Sequence, residues 1–146
     1  MLISAILHTK GSAVVTIAPD VTVAEGARAL ATYGVGALVV SVDGEHITGI
    51  LSERDVARAV GVKGAAALDL TIAELMTAEV TTCRLGDTVD RLMEIMTAQR
   101  VRHLPVVDGA DRKLVGIVSI GDVVKSRLEE LQTETKTLHE YITLGR

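Results

Sequence analysis

One pattern occurs twice in this chain and limits what it can fold into. Gly49-Ile50-Leu51-Ser52-Glu53-Arg54-Asp55 and Gly116-Ile117-Val118-Ser119-Ile120-Gly121-Asp122 both read glycine, two aliphatic residues, then Ser-x-x-Asp. The aliphatic residues suit a buried strand. The serine suits the cap of a helix beginning there, because its hydroxyl can accept an N–H of the first turn. The aspartate then falls in that turn, near the positive end of the helix dipole. A strand running into a helix through such a corner sets hydroxyl and carboxylate groups beside free N–H groups. Ribose hydroxyls and phosphate oxygens call for that mixture.

The surrounding sequence repeats as well. Val23 and Val89 are 66 residues apart, as are Leu38 and Leu104, while the Ser and Asp pairs are 67 apart. A small turn insertion in the second copy accounts for the difference. A helix over 1–10 stops at Gly11, and a β-rich stretch follows over 12–18. Thr22-x-x-Glu25 is a capping box opening a helix to Gly34. An apolar strand over 35–42, an Asp43-Gly44 turn and a returning strand over 47–51 lead to a helix that Gly61 is expected to stop. An Ala-rich connector covers 64–70, and Thr71-x-x-Glu74 opens a short helix. The second copy has strands over 80–84, 101–107 and 114–119 around a helix starting at Asp87-Thr88. This predicts an α+β fold of two β-α-β-β-α repeats about a pseudo-two-fold axis. The division is 1–70 for the N-terminal helix, repeat 1 and connector, 71–128 for repeat 2, and 129–146 for a C-terminal helix extension. Neither half is large enough to be stable alone, so the two strand sets are expected to pack together.

The last helix departs from its counterpart. Val124, Leu128, Leu131, Thr135, Leu138 and Ile142 are spaced by four and three, a heptad seam. It could fold back on its own domain or pack on a second subunit.

Composition narrows the function classes. Of 146 residues, 48% are hydrophobic and 23% charged, which describes a globular chain. No apolar run approaches the roughly 18 residues that span a membrane, and the start lacks the basic region of a signal peptide. One cysteine rules out an internal disulfide. These features point to the cytoplasm. A net charge of −4 argues against nucleic acid. With two Tyr, no Phe and no Trp, a base-binding pocket here must use aliphatic walls. No P-loop, metal-ligand cluster or activated nucleophile pattern is present, which argues against an enzyme acting through Asp55 and Asp122.

The duplicated order of these motifs resembles a tandem pair of CBS (cystathionine β-synthase) domains, a Bateman module. Arg102-His103-Leu104-Pro105-Val106-Val107-Asp108 is similar to that family's second-strand motif, and Thr71-Ile72-Ala73-Glu74-Leu75-Met76-Thr77 to its opening helix. No enzyme or transporter domain accompanies the pair, so the chain is similar to the stand-alone members. The resemblance implies a homodimer and ligands such as AMP, ADP, ATP, NAD(H) or S-adenosylmethionine. It implies one site from Ser119 and Asp122 with Thr16, Ile17, Gly36, Ala37 and Leu38. The other would join Ser52 and Asp55 to Thr82, Cys83, His103, Leu104 and Pro105. Asp would take the ribose hydroxyls, and Arg54, Arg102 and His103 the phosphates. Repeat 1 departs from repeat 2 in having Leu38-Val39 where the latter has Leu104-Pro105. The function implied is a non-catalytic sensor signalling to a protein effector. A dimeric interaction scaffold with vestigial sites is the alternative, and the Ser-x-x-Asp pairs serve as helix caps in either case.

Overall fold

The computed structural model describes residues 1–145. The first repeat contains β1 (Thr16–Ile17), α2 (Val23–Tyr33), β2 (Ala37–Val40), β3 (Gly49–Ser52) and α3 (Glu53–Lys63), after an N-terminal α1 (Ile3–Lys10). A 3-10 turn (Gly64–Asp69) and α4 (Ile72–Leu75) lead to β4 (Cys83–Arg84), α5 (Val89–Gln99), β5 (His103–Asp108), β6 (Lys113–Ser119) and α6 (Ile120–Leu144). Each repeat builds a three-stranded sheet, ordered β1-β2-β3 and β4-β5-β6. The first pair in each sheet is parallel and the second antiparallel. The expected α+β architecture of two similar halves is therefore present, with α6 as the long C-terminal helix. Residue 146 of the expected extension lies outside the described residues.

Several boundaries differ from expectation for physical reasons. The strands expected over 12–18 and 80–84 shrink to two residues each, because only those residues hold ladder register with β2 and β5. Gly61 does not stop α3, which continues to Lys63; one glycine inside a helix costs only about 1 kcal/mol. The connector is not a loose link, since Ala67 is fully buried and the Leu70 carbonyl accepts the Val23 N–H. The one-residue difference between repeats falls in the second hairpin, where the ladder pairs Val106 with Gly116 but Val107 with Leu114. Val115 is left over as a β-bulge rather than lengthening a turn.

The helix starts are capped as the sequence suggests. Glu25 N donates to Thr22 Oγ1 at 3.2 Å, and Thr22 N donates back to Glu25 Oε2 at 3.3 Å. Thr71 N donates to Glu74 Oε2 at 2.8 Å. Ser52 with Asp55, and Ser119 with Asp122, form the same reciprocal box.

The hydrophobic cores cross the linear division of the chain. Ile3, Ile6 and Leu7 of α1 pack with Cys83, Val89, Leu92, Leu104 and Val118 of the second repeat. Ile72 of α4 packs with Val40 and Leu51 of the first. Each opening helix thus completes the other repeat's core. The first glycine of each duplicated motif makes this possible. A Cβ on Gly116 would lie 2.7 Å from Leu7, and one on Gly49 would lie 2.5 Å from Met76. Only glycine lets each helix approach its strand so closely. Fully burying a side chain such as Ile3 or Ile72 contributes about 1.5–3 kcal/mol.

The hairpins also meet across the repeats. Leu114 N donates to the Glu45 carbonyl at 2.7 Å, and Lys113 pairs with Glu45 at 3.1 Å. The Glu45 loop is fixed by Asp43, whose carboxylate accepts the His46 and Glu45 N–H groups and bonds the His46 ring. Those donors hold the Asp43 carboxyl far below the usual carboxylate range.

Candidate functional site

The two Ser-x-x-Asp corners share a backbone plan. Glu53 N donates to the Gly36 carbonyl at 2.9 Å, and Ile120 N donates to the Arg102 carbonyl at 2.8 Å. The first residue of each helix is thereby tied to the residue just before the middle strand. Each Ser hydroxyl accepts its Asp N–H at 3.2 Å.

The side chains then diverge. Asp55 Oδ2 accepts the Ser52 N–H at 2.9 Å, and Asp55 forms no ion pair among the described residues. Asp122 Oδ2 accepts the Ser119 N–H at 2.8 Å, the Ser119 hydroxyl at 3.0 Å and the Lys10 ammonium at 2.5 Å. These donors hold the Asp122 carboxyl below its ordinary value against the opposing effect of burial, its largest influence. A carboxylate offers about four acceptor positions. Asp55 and Ser52 retain capacity for a ligand, whereas at Asp122 the Oδ2 oxygen is taken up by Ser119 and Lys10 and only Oδ1 is left over among the described residues.

A cavity of about 300 Å³ opens at the Ser52 and Asp55 corner and includes none of Lys10, Ser119 or Asp122. Repeat 1 lines it with Gly36, Ala37, Ile50, Ser52, Glu53, Arg54, Asp55 and Arg58. The other wall comes from Thr77, Glu79, Val80 and Thr81 after α4, and from Gln99 to His103. Thr77 reaches this wall because α4 ends early and Thr77 pairs with Ile50, both N–H···O distances being 3.0 Å. Arg54, Arg58, Arg100 and Arg102 are exposed, and none joins an ion pair among the described residues. Such guanidiniums are ready donors for phosphate or carboxylate. His103 is half-buried against Gly36. Burial first, and the Lys10 charge second, push its pKa below the ordinary 6.5, which favours the neutral ring.

The residues named from sequence therefore divide. Ser52, Arg54, Asp55, Arg102 and His103 share one cavity, and Gly36 and Ala37, expected at the other corner, line it too. Cys83 and Leu104 sit in the core of the second sheet and do not line the cavity. Burial also pushes the Cys83 thiol up to about 12, away from reactivity. Leu38 and Pro105 are buried in the middle strands, and Thr16 and Ile17 are half-buried in β1. The Thr82 hydroxyl accepts Arg112 Nη2 at 2.8 Å. The Leu38-Val39 departure has a backbone consequence. Val39 N donates to the Val15 carbonyl at 3.3 Å, but Pro105 has no N–H to offer, and the corresponding Thr81 carbonyl receives no backbone donor among the described residues.

Arg58, Arg100 and Lys10 are among the residues at the two corners that sequence reasoning did not single out. Arg58 follows Arg54 by one helical turn, a spacing that places both on one face. Arg100 ends α5 in the left-handed region at φ 55°, where repeat 1 ends α2 with Gly34 at φ 63°. A side chain held there costs about 1–2 kcal/mol, and such strain clusters at ligand sites. Lys10 lies in α1, far in sequence from Asp122.

Known proteins share this arrangement. The family model described as CBS domain matches residues 6–62 and 72–129. A CBS domain-containing mitochondrial protein, CBSX3 of Arabidopsis thaliana, is 37% identical over 130 residues, covering 86% of this chain and 62% of the relative. The chain thus spans about three fifths of that relative's length. The crystal structure of the CBS-domain protein ATU1752 from Agrobacterium tumefaciens is 44% identical with a TM-score of 0.82, covering 87% of this chain and 99% of that one. The CBS domain protein PAE2072 from Pyrobaculum aerophilum, solved in complex with AMP, is 29% identical with a TM-score of 0.77, covering 91% and 99%. With two matched copies, crossed opening helices and a cleft between them, this chain belongs to the CBS domain family as a tandem pair.

Proposed function

We propose that the chain is a non-catalytic regulatory protein holding an adenine nucleotide, AMP or NAD(H) foremost, in the cleft at Ser52 and Asp55. One observation carries this reading: a hydroxyl and a carboxylate with spare hydrogen-bonding capacity share a cavity of about 300 Å³ with arginines that join no ion pair among the described residues. Asp55 takes the ribose hydroxyls, Ser52 donates its free hydrogen, and the arginines take the phosphate. Ile50, Val80 and Val101 supply aliphatic walls for the base. The AMP complex of the Pyrobaculum relative supports this ligand class. Both repeats line the cleft, so a bound nucleotide favours one relative arrangement of the repeats and shifts the population that an effector protein meets. Among the described residues no helix is long and apolar enough to cross a membrane.

The same reading includes a homodimer. Val124, Leu128, Leu131, Leu138 and Ile142 form an exposed stripe on α6, and from Leu131 onward every described residue of that helix is exposed. A free helical stretch of about 12–15 residues is marginal in water, and a second α6 on the stripe stabilises it. Should the cleft prove empty of function, this surface makes the chain an interaction scaffold.

Isothermal titration with AMP, ADP, ATP, NAD and S-adenosylmethionine tests the proposal. Binding weakened roughly 10- to 100-fold in Asp55→Ala is the expected result. No binding by folded, nucleotide-free protein removes the sensor reading and leaves the scaffold.

A further inference from the structure

Lys10 belongs to neither duplicated motif, yet it contacts one of them. It is the last residue of α1, an eight-residue helix, whereas α4 has four residues and turns away at Met76 to pair Thr77 with Ile50. The longer α1 carries the Lys10 Nζ to 2.5 Å from Asp122 Oδ2. The shorter α4 leaves the Asp55 corner open. Lys10 and Asp122 are only 31% and 24% exposed, so water screens the pair incompletely.

We propose that Lys10 determines which of the two clefts takes ligand, by closing the Ser119 and Asp122 corner and leaving the Ser52 and Asp55 corner as the first to fill. Three donors converge on Asp122 Oδ2, and one of them is the Ser119 hydroxyl. A ribose hydroxyl reaching Oδ2 must displace the ammonium and turn the Ser119 hydrogen away, and one bound at Oδ1 alone has to share the carboxylate with the Lys10 charge. At the other corner the Ser52 hydroxyl accepts Asp55 N and keeps its own hydrogen, and Asp55 carries no ammonium. The duplicated motif thus yields two sites of unequal affinity, set by a residue outside it. Because α1 packs in the core of the second repeat, filling the second cleft also loosens a contact between that helix and α6.

This inference rests on nucleotide binding at the first cleft, and the test separates the two claims. AMP and ATP are titrated calorimetrically into wild type, Asp55→Ala, Asp55→Ala with Lys10→Met, and the triple variant adding Asp122→Ala, each checked by circular dichroism for an intact fold. Lys10→Met keeps the aliphatic stem and removes only the charge. The expected result is binding weakened at least tenfold in Asp55→Ala, strengthened again by up to about fivefold on adding Lys10→Met, and weakened once more with Asp122→Ala. Two equal sites in wild type, or no regain in the double variant, overturns the role of Lys10 while leaving the nucleotide site standing. Weaker wild-type binding on Lys10→Met alone also overturns it, because Lys10 is then a ligand contact. No binding by any folded form overturns the nucleotide site and the role of Lys10 together.

Discussion

The two Ser-x-x-Asp corners have the same helix cap, the same tie to the middle strand and nearly the same sequence, but they are not in the same state. At Asp55 the carboxylate closes a capping box and faces an open cavity. At Asp122 it closes the same box and also holds Lys10. The difference arises outside the motif, in the lengths of the helices that cross between repeats. A motif therefore specifies local geometry, while its availability to a ligand depends on what the distant chain delivers to it.

The crossing itself offers the most severe way to break the comparison. Ile3→Ala and Ile72→Ala each empty a fully buried position, and each is expected to cost about 2–5 kcal/mol in urea denaturation. Ile3→Ala should weaken hydrogen-exchange protection in β5 and β6, and Ile72→Ala in β2 and β3. Protection lost in the repeat nearer in sequence would contradict the crossed cores.

The ligand comparison comes next. Removing a carboxylate that bonds ligand hydroxyls forfeits about 1.5–3 kcal/mol, so Asp55→Ala is expected to weaken nucleotide binding roughly 10- to 100-fold by calorimetry. Asp122→Ala should leave the first cleft's affinity nearly unchanged. Equal losses would mean that the corners act as one.

Arg100 sharpens the comparison at smaller scale. Arg100→Gly relieves the left-handed strain and is expected to raise stability by about 1 kcal/mol in denaturant, while weakening nucleotide binding. A stability gain with unchanged affinity would make Arg100 a bystander.

The smallest effect is on pH dependence. Burial, then Lys10, holds His103 below its ordinary 6.5. As pH falls below that value the unfolded chain takes up a proton that the folded chain resists. The contribution of His103 is therefore complete above about 6.5 and is lost as pH drops towards its folded value. Comparing His103→Gln with wild type between pH 7 and 5 should show a shallower fall in Tm for the variant. Parallel curves would remove His103 from the account.

Much of the fold was legible because the repeat was. Capping boxes at Thr22, Thr71, Ser52 and Ser119 are local, and local hydrogen bonds leave local patterns. The crossing of α1 and α4 left a fainter trace in Gly49 and Gly116, whose missing side chains make room for partners far away in sequence. The site was half legible. Ser52, Asp55, Arg54, Arg102 and His103 share one cavity, but β-strand alternation turned Cys83 and Leu104 into the core. Lys10 could not be found by spacing, because its meeting with Asp122 depends on tertiary packing across 112 residues of chain.

The most direct test of the central claim is a crystal structure of the full chain grown with AMP at sub-stoichiometric concentration. The expected result is nucleotide at Ser52 and Asp55, with its phosphate among the arginines and Lys10 still on Asp122. Nucleotide at Ser119 and Asp122, with Lys10 swung away and the first cleft empty, would contradict it.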